Sequence, residues 1–132
     1  MLRSARRDRD PRNHLLWGAF AEPGRAPALL GGELRLSFGD AAAAAARGGA
    51  EIDERFPPGS RLLVVAYDQM VVALALLAGL YSRCVPLLVD PQSPGELARM
   101  TRRWPVAGAL GDRALLEDLA DTIDAETILA WA

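Results

Sequence analysis

The sequence predicts an α/β fold, a mostly parallel sheet with helices on both faces. Three observations carry that expectation. Strand-like and helix-like segments alternate along the 132 residues. Residues 61–66 (RLLVVA) form a continuous branched apolar run behind a turn, the pattern of a strand buried on both faces. Residues 69–82 (QMVVALALLAGLYS) are apolar on every side and too long for an ordinary strand, so they read as a buried helix.

Taken in order, residues 1–12 (MLRSARRDRDPR) are charged, without apolar periodicity, and read as a disordered tail before a single domain over 13–132. A basic nucleic-acid arm is the alternative, disfavoured by the acids and prolines close by. Residues 13–21 suit a short helix capped by Asn13, and Pro23, Gly24 and Pro27 then break the chain. Residues 34–38 (LRLSF) alternate as a strand does. Asp40 is a natural N-cap for the alanine-rich helix that follows, which reaches Arg47 or runs on with a break at Gly48-Gly49. Pro57-Pro58-Gly59 is a turn.

Residues 84–89 (CVPLLV) form a second apolar run, and Pro86 within it argues for an edge position. Ser93-Pro94 starts a helix to about Arg103, with Glu96 near its positive end. Residues 106–110 (VAGAL) are a weak strand, Asp112 caps a helix to about Ala120, and 127–131 (TILAW) read as a last strand with an open edge.

Composition excludes several chemistries. All 15 basic residues are arginine, so no Schiff base, no phosphate-loop lysine and no catalytic lysine is available. A net charge of −2 gives no general attraction to nucleic acid or an anionic membrane. The longest apolar run, Met70 to Leu80, falls short of the ~20 residues that span a bilayer. No signal-peptide core precedes the domain, and one cysteine forms no internal disulfide; a cytoplasmic protein is expected.

Candidate chemical residues are few. No G-x-G-x-x-G or phosphate-loop pattern occurs, and Gly31-Gly32 and Gly48-Gly49 read as turns. His14 stands without a neighbouring carboxylate or serine, and one histidine with one cysteine builds no typical zinc site. Cys84 reads as a small core hydrophobe. Asp118, Asp121, Asp124 and Glu126 lack a calcium-loop pattern and read as a solvated helix end. Arg99, Arg102 and Arg103 share helical spacing, either facing an anion or lying on an exposed face near a helix C-terminus. If the domain bound a nucleotide or flavin in flavodoxin fashion, the ligand would lie at the carboxyl ends of the strands, near Tyr67-Asp68 and Asp90-Pro91. Asp68 and Asp90 are the residues in question there, and helix capping is their plainer role.

Four segments carry a family resemblance: APALLGGELRLSFGDAAAAA (26–45), RFPPGSRLLVVAYDQ (55–69), MVVALALLAGLYSRCVPLLVDPQSP (70–94) and VAGALGDRALLEDL (106–119). In order and spacing they resemble the N-terminal region of the adenylate-forming (AMP-dependent synthetase/ligase) superfamily. That superfamily takes in acyl-CoA synthetases, fatty-acyl-AMP ligases and peptide-synthetase adenylation domains. Tyr81, Pro86 and Asp90-Pro91 lean toward the acyl-ligase side; Ser60 replaces a common aspartate, and Arg83 stands where the family usually has glycine.

The resemblance implies a scaffold region and a place in secondary metabolism. The family's phosphate loop, ribose-binding aspartate, hinge and catalytic lysine all lie downstream of the matching segments. It therefore implies ATP and magnesium for a full enzyme but assigns no catalytic, cofactor or metal residue here. The expectation is a truncated or split ligase segment, inactive alone. A non-catalytic module docking on a synthetase or carrier protein is the alternative. In either case helix 69–82 lacks the cover that later sequence supplies in a full enzyme, so self-association or a protein partner is expected.

Overall fold

A computed structural model describes residues 27–31, 34–116 and 121–132. The tail at 1–12, the helix expected at 13–21, His14, Gly32 and Asp118 lie outside the described residues. Strands β1 (Pro27–Gly31) and β2 (Leu34–Ser37) form an antiparallel hairpin. The main sheet is parallel and four-stranded, in the order β4-β3-β5-β6. Its strands are β3 (Arg61–Val65), β4 (Val85–Leu88), β5 (Gly108–Gly111) and β6 (Thr122–Asp124). The α/β class and the helices on both faces are as the sequence predicts.

Helix α1 (Phe38–Arg55) begins at a capping box. The Asp40 N–H donates to Ser37 Oγ at 3.1 Å, and the Ser37 N–H donates to Asp40 Oδ2 at 3.3 Å. Ser37 is therefore the N-cap, where the sequence reading gave that place to Asp40. The helix does not break at Gly48-Gly49. Its buried positions are 41, 44, 45, 48, 49 and 52, one continuous helical stripe on which the glycines fall. A Cβ at Gly48 would sit 2.7 Å from Ala78 Cβ, and one at Gly49 2.6 Å from Tyr81 Cδ1. The glycines let a neighbouring helix approach; they are not turns.

That neighbour is α2 (Gln69–Tyr81), whose N-cap Asp68 accepts from the Met70 N–H at 2.8 Å. Met70, Val71, Leu74, Ala75, Leu77 and Ala78 are buried, as an all-round apolar helix requires, and Leu80 is its exposed apolar residue. Its C-cap Ser82 donates from Oγ to the Gly79 carbonyl at 2.6 Å and accepts the Cys84 N–H at 3.0 Å. Arg83, in the place of a family glycine, adopts no left-handed backbone, and its N–H donates to Asp53 at 2.8 Å.

β4 is an edge strand, and Pro86 stands there in register with Leu62. β5 holds the sheet's interior with all four residues buried, although its sequence GALG carries little strand preference. Phe56 presses on Gly108, where a Cβ would lie 2.6 Å from the ring. Helix α3 (Pro94–Arg103) has Pro94 in its first turn and Glu96 near its positive end, but Ser93 makes no side-chain cap. A 3₁₀ turn, Arg113–Leu115, stands where Asp112 was expected to cap a longer helix, and Asp112 makes no cap bond to it.

The segment expected as a terminal strand, 127–131, is helical: α4 spans Ala125–Ala130, and the last strand is β6 ahead of it. Asp124 decides this by accepting the Thr127 N–H and hydroxyl, each at 2.9 Å. Beyond α4, Trp131 is buried against Gly48. Its indole N–H donates to Glu51 at 2.8 Å, and Arg47 Nε donates to its carbonyl at 2.7 Å.

β3 divides the core by simple alternation. Leu62 and Val64 join α1, α2 and α4 in one buried cluster with Ile52, Leu74, Leu110 and Ile128. Leu63 and Val65 join Val89, Ala109 and Leu116 on the other face, against which Leu97 and Met100 of α3 pack.

Candidate functional site

In an open parallel sheet, ligands bind where consecutive crossovers leave in opposite directions, at the strands' carboxyl ends. With the order β4-β3-β5-β6, that point lies between β3 and β5. There the chain fills the crevice itself. The Asp112 N–H donates to the Val65 carbonyl at 2.9 Å, and the Tyr67 N–H donates to Asp112 Oδ2 at 3.0 Å. Gly111 between them has φ 138°, and a Cβ there would strike the Val65 carbonyl. The loops after β3 and β5 are thus laced together where a nucleotide would enter. Sequence reading missed this role of Asp112; the Gly-Asp pair ending a strand was the available signal.

Two clefts flank the lacing, with Tyr67 on the wall of both. One, ≈ 460 Å³, is lined by Asp112, Arg113, Asp124 and Glu126 among others. The second, ≈ 440 Å³, is lined by Val72, Leu88, Asp90 and Glu96 among others and, among the described residues, by no cation. Both volumes fall within the ~300–1,000 Å³ of small-molecule sites.

The carboxylates are mostly engaged in structure. Asp124 is held below its ordinary carboxylate value by the Thr127 N–H, then by the Thr127 hydroxyl, and Arg113 adds to this. The Arg113 guanidinium lies 3.9 Å from Asp124 and donates to the Thr122 carbonyl at 3.2 Å. Asp121, just before β6, pairs with Arg55 at 2.6 Å, Asp124 ends β6 and Glu126 lies in the first turn of α4, so these three described acids are no loose helix end.

The two aspartates weighed for a nucleotide take their plainer role. Asp68 caps α2. Asp90 accepts the Gln92 N–H at 2.9 Å and the Ser93 hydroxyl at 3.4 Å, closing the turn before α3. The structure brings Asp90 into the second cleft and leaves Asp68 off the lining of both. Cys84 is buried, and burial first, then Asp53, pushes its thiol up, away from a reactive thiolate. Arg99, Arg102 and Arg103 are exposed on α3.

The family resemblance implies ATP and magnesium for a full enzyme, and the described residues of these clefts do not fit that pair. Each cleft carries more carboxylates than cations, which opposes a triphosphate. The sequence holds no lysine. Among the described residues no group of three or more metal-ligating side chains converges, and no helix is long and apolar enough to cross a membrane.

No protein-family model matches the chain, and no curated protein matches it significantly. Solved structures do. The nonribosomal peptide synthetase FmoA3 (S1046A) aligns with a TM-score of 0.71 at 23% identity, covering 91% of this chain and 14% of the synthetase. Its AMPPNP-bound form aligns at 0.67 and 25% identity, covering 89% and 13%. A benzoate CoA ligase from Burkholderia xenovorans LB400 aligns at 0.59 and 19% identity, covering 83% and 22%. The chain has the fold of a segment of adenylate-forming enzymes. It spans less than a quarter of the length of each of these matches.

Proposed function

We propose that these 132 residues are scaffold from the first part of a carboxylate-adenylating enzyme and form no acyl-adenylate by themselves. The observation that carries the reading is the fold match over 91% of the chain to 14% of a peptide synthetase. The laced crevice, the acid-lined clefts and the lack of lysine support it. The phosphate-binding and catalytic groups then belong to other residues, in a longer polypeptide or a separate one. Carboxylate-dependent pyrophosphate exchange tests the reading. The purified chain is expected at background with acyl and amino-acid substrates, and exchange at an enzyme-like rate overturns it. Restored exchange on co-expression with the neighbouring reading frame would support the split-enzyme form.

One observation favours a second reading, a non-catalytic module docking on a synthetase or carrier protein. Apolar side chains are exposed at Leu80 (42%) and along the edge strand at Val85 (45%) and Leu88 (55%). Pro86 offers no N–H to an added strand, so a partner packs on side chains rather than extending the sheet. A stable complex without exchange activity separates this reading from the first. A monomer that persists at every concentration, alone and with synthetase fragments, removes it.

A further inference from the structure

We propose that the outer face of α3 is a docking surface for an acidic protein segment, a role separate from the scaffold reading. Leu97 and Met100 turn toward the second core cluster, so α3 has one committed face. Arg99, Arg102 and Arg103 are exposed and, at i, i+3 and i+4, neighbour one another on the helix surface. No carboxylate lies within ion-pair distance of any of the three among the described residues, unlike Arg55 and Arg113. Glu96, one turn before Arg99, forms no bridge to it. Arg103 stacks on Trp104 at 4.9 Å, which holds its guanidinium in place with its donors free.

Three unpaired guanidiniums on one helical turn concentrate positive charge in a chain whose net charge is −2. The complement is a short cluster of carboxylates, to whose paired oxygens a guanidinium fork donates two hydrogen bonds at once. The patch extends only about 6 Å along the helix. Nucleic acid tracks of about six to ten phosphate contacts need a longer surface, and the acids elsewhere on this chain would repel a long polyanion. Anionic membranes recruit clusters of about four to eight cations beside apolar insertion, more than this helix offers.

The test titrates the full chain with a ten-residue glutamate-rich peptide and follows backbone amide shifts. Shifts confined to residues 99–104, weakening steeply with salt, are the expected result. The triple change R99Q/R102Q/R103Q is expected to lower affinity by about 10-fold or more, whereas R35Q on the hairpin leaves it unchanged. The three arginines are exposed, so the variant keeps the wild-type amide spectrum elsewhere. Shifts centred on other residues, an unchanged affinity in the triple variant, or tighter binding to duplex DNA or phosphatidylserine vesicles than to the peptide would each overturn the proposal.

Discussion

Against one face of the sheet, α1, α2 and α4 bury a cluster that runs from Leu36 through Ile52, Leu62 and Leu74 to Trp131. Against the other, α3 covers Leu63, Val65, Val89, Ala109 and Leu116 with half-buried Leu97 and Met100. The first face is built by close approach: Gly48 and Gly49 let α2 and Trp131 in, and Arg47 and Glu51 hold Trp131 at its carbonyl and indole nitrogen. The second is a lid whose outer side is polar. The difference teaches where stability is concentrated and where the surface is left free to evolve contacts. It also explains why the arginines of α3 tolerate exposure while Arg47 and Arg55 are tied into the fold.

That contrast can be broken by substitution. Trp131→Ala empties the groove at Gly48 and unpairs Glu51; a loss of about 4 kcal/mol is expected in urea unfolding. A loss under about 1 kcal/mol would mean the first face does not depend on its terminal anchor. Gly48→Ala adds a methyl where Trp131 and Ala78 already press, and about 2 kcal/mol should be lost despite alanine's better helix preference. Equal or greater stability would remove close approach as the reason for that glycine.

On the thinner face the effects shrink. Met100→Ala should cost about 1 kcal/mol, because the side chain is only half buried. A Cβ at Gly95 meets nothing within 4 Å, so Gly95→Ala should raise stability by about 0.5 kcal/mol. The two glycine changes thus carry opposite signs, and thermal melts of both variants read the comparison directly.

The smallest effect is one of shape. Asp124 titrates below its ordinary value when folded, held there by Thr127. Its stabilisation is therefore present above the unfolded carboxylate value and lost as pH falls through the lower folded one. Asp124→Asn keeps a capping residue and removes the titration, so its acid-unfolding curve should be flatter below about pH 4. A curve parallel to wild type would show that the Thr127 contacts do not stabilise the charge.

Legibility in the sequence followed the kind of force at work. β3 and α2 were readable because burial on all sides leaves an uninterrupted apolar run, and Pro86 marked its strand as an edge because an edge tolerates a missing N–H. β5 read as weak because its glycines serve contacts with Phe56 and Val65 that no local pattern records. In the sequence α1 reads as ending at Arg47 or breaking at Gly48-Gly49 because glycine is locally a helix breaker, although the small-residue stripe from Ala41 to Ile52 passes through both. The β1 strand leaves no signal in the sequence because PALLG gains its pairing only from β2. Residues 127–131 looked like a strand through Thr127 and Ile128, and the cap at Asp124 overrode that preference.

By itself the sequence determined the α/β class, the buried centre of the sheet, the edge and the absence of lysine chemistry, since each follows from residue type and period alone. Only the tertiary structure decided that Asp112 laces the crevice, that Gly48 is a seat for Trp131, and that the last segment is helical. Those three depend on groups separated by 45 residues (Tyr67 and Asp112), by tens of residues (Gly48 and Trp131) or on a cap competing with a strand preference. The first two contacts form only once the chain has folded back on itself, whereas the cap is local, three residues apart, and decides by outweighing the strand preference of Thr127 and Ile128.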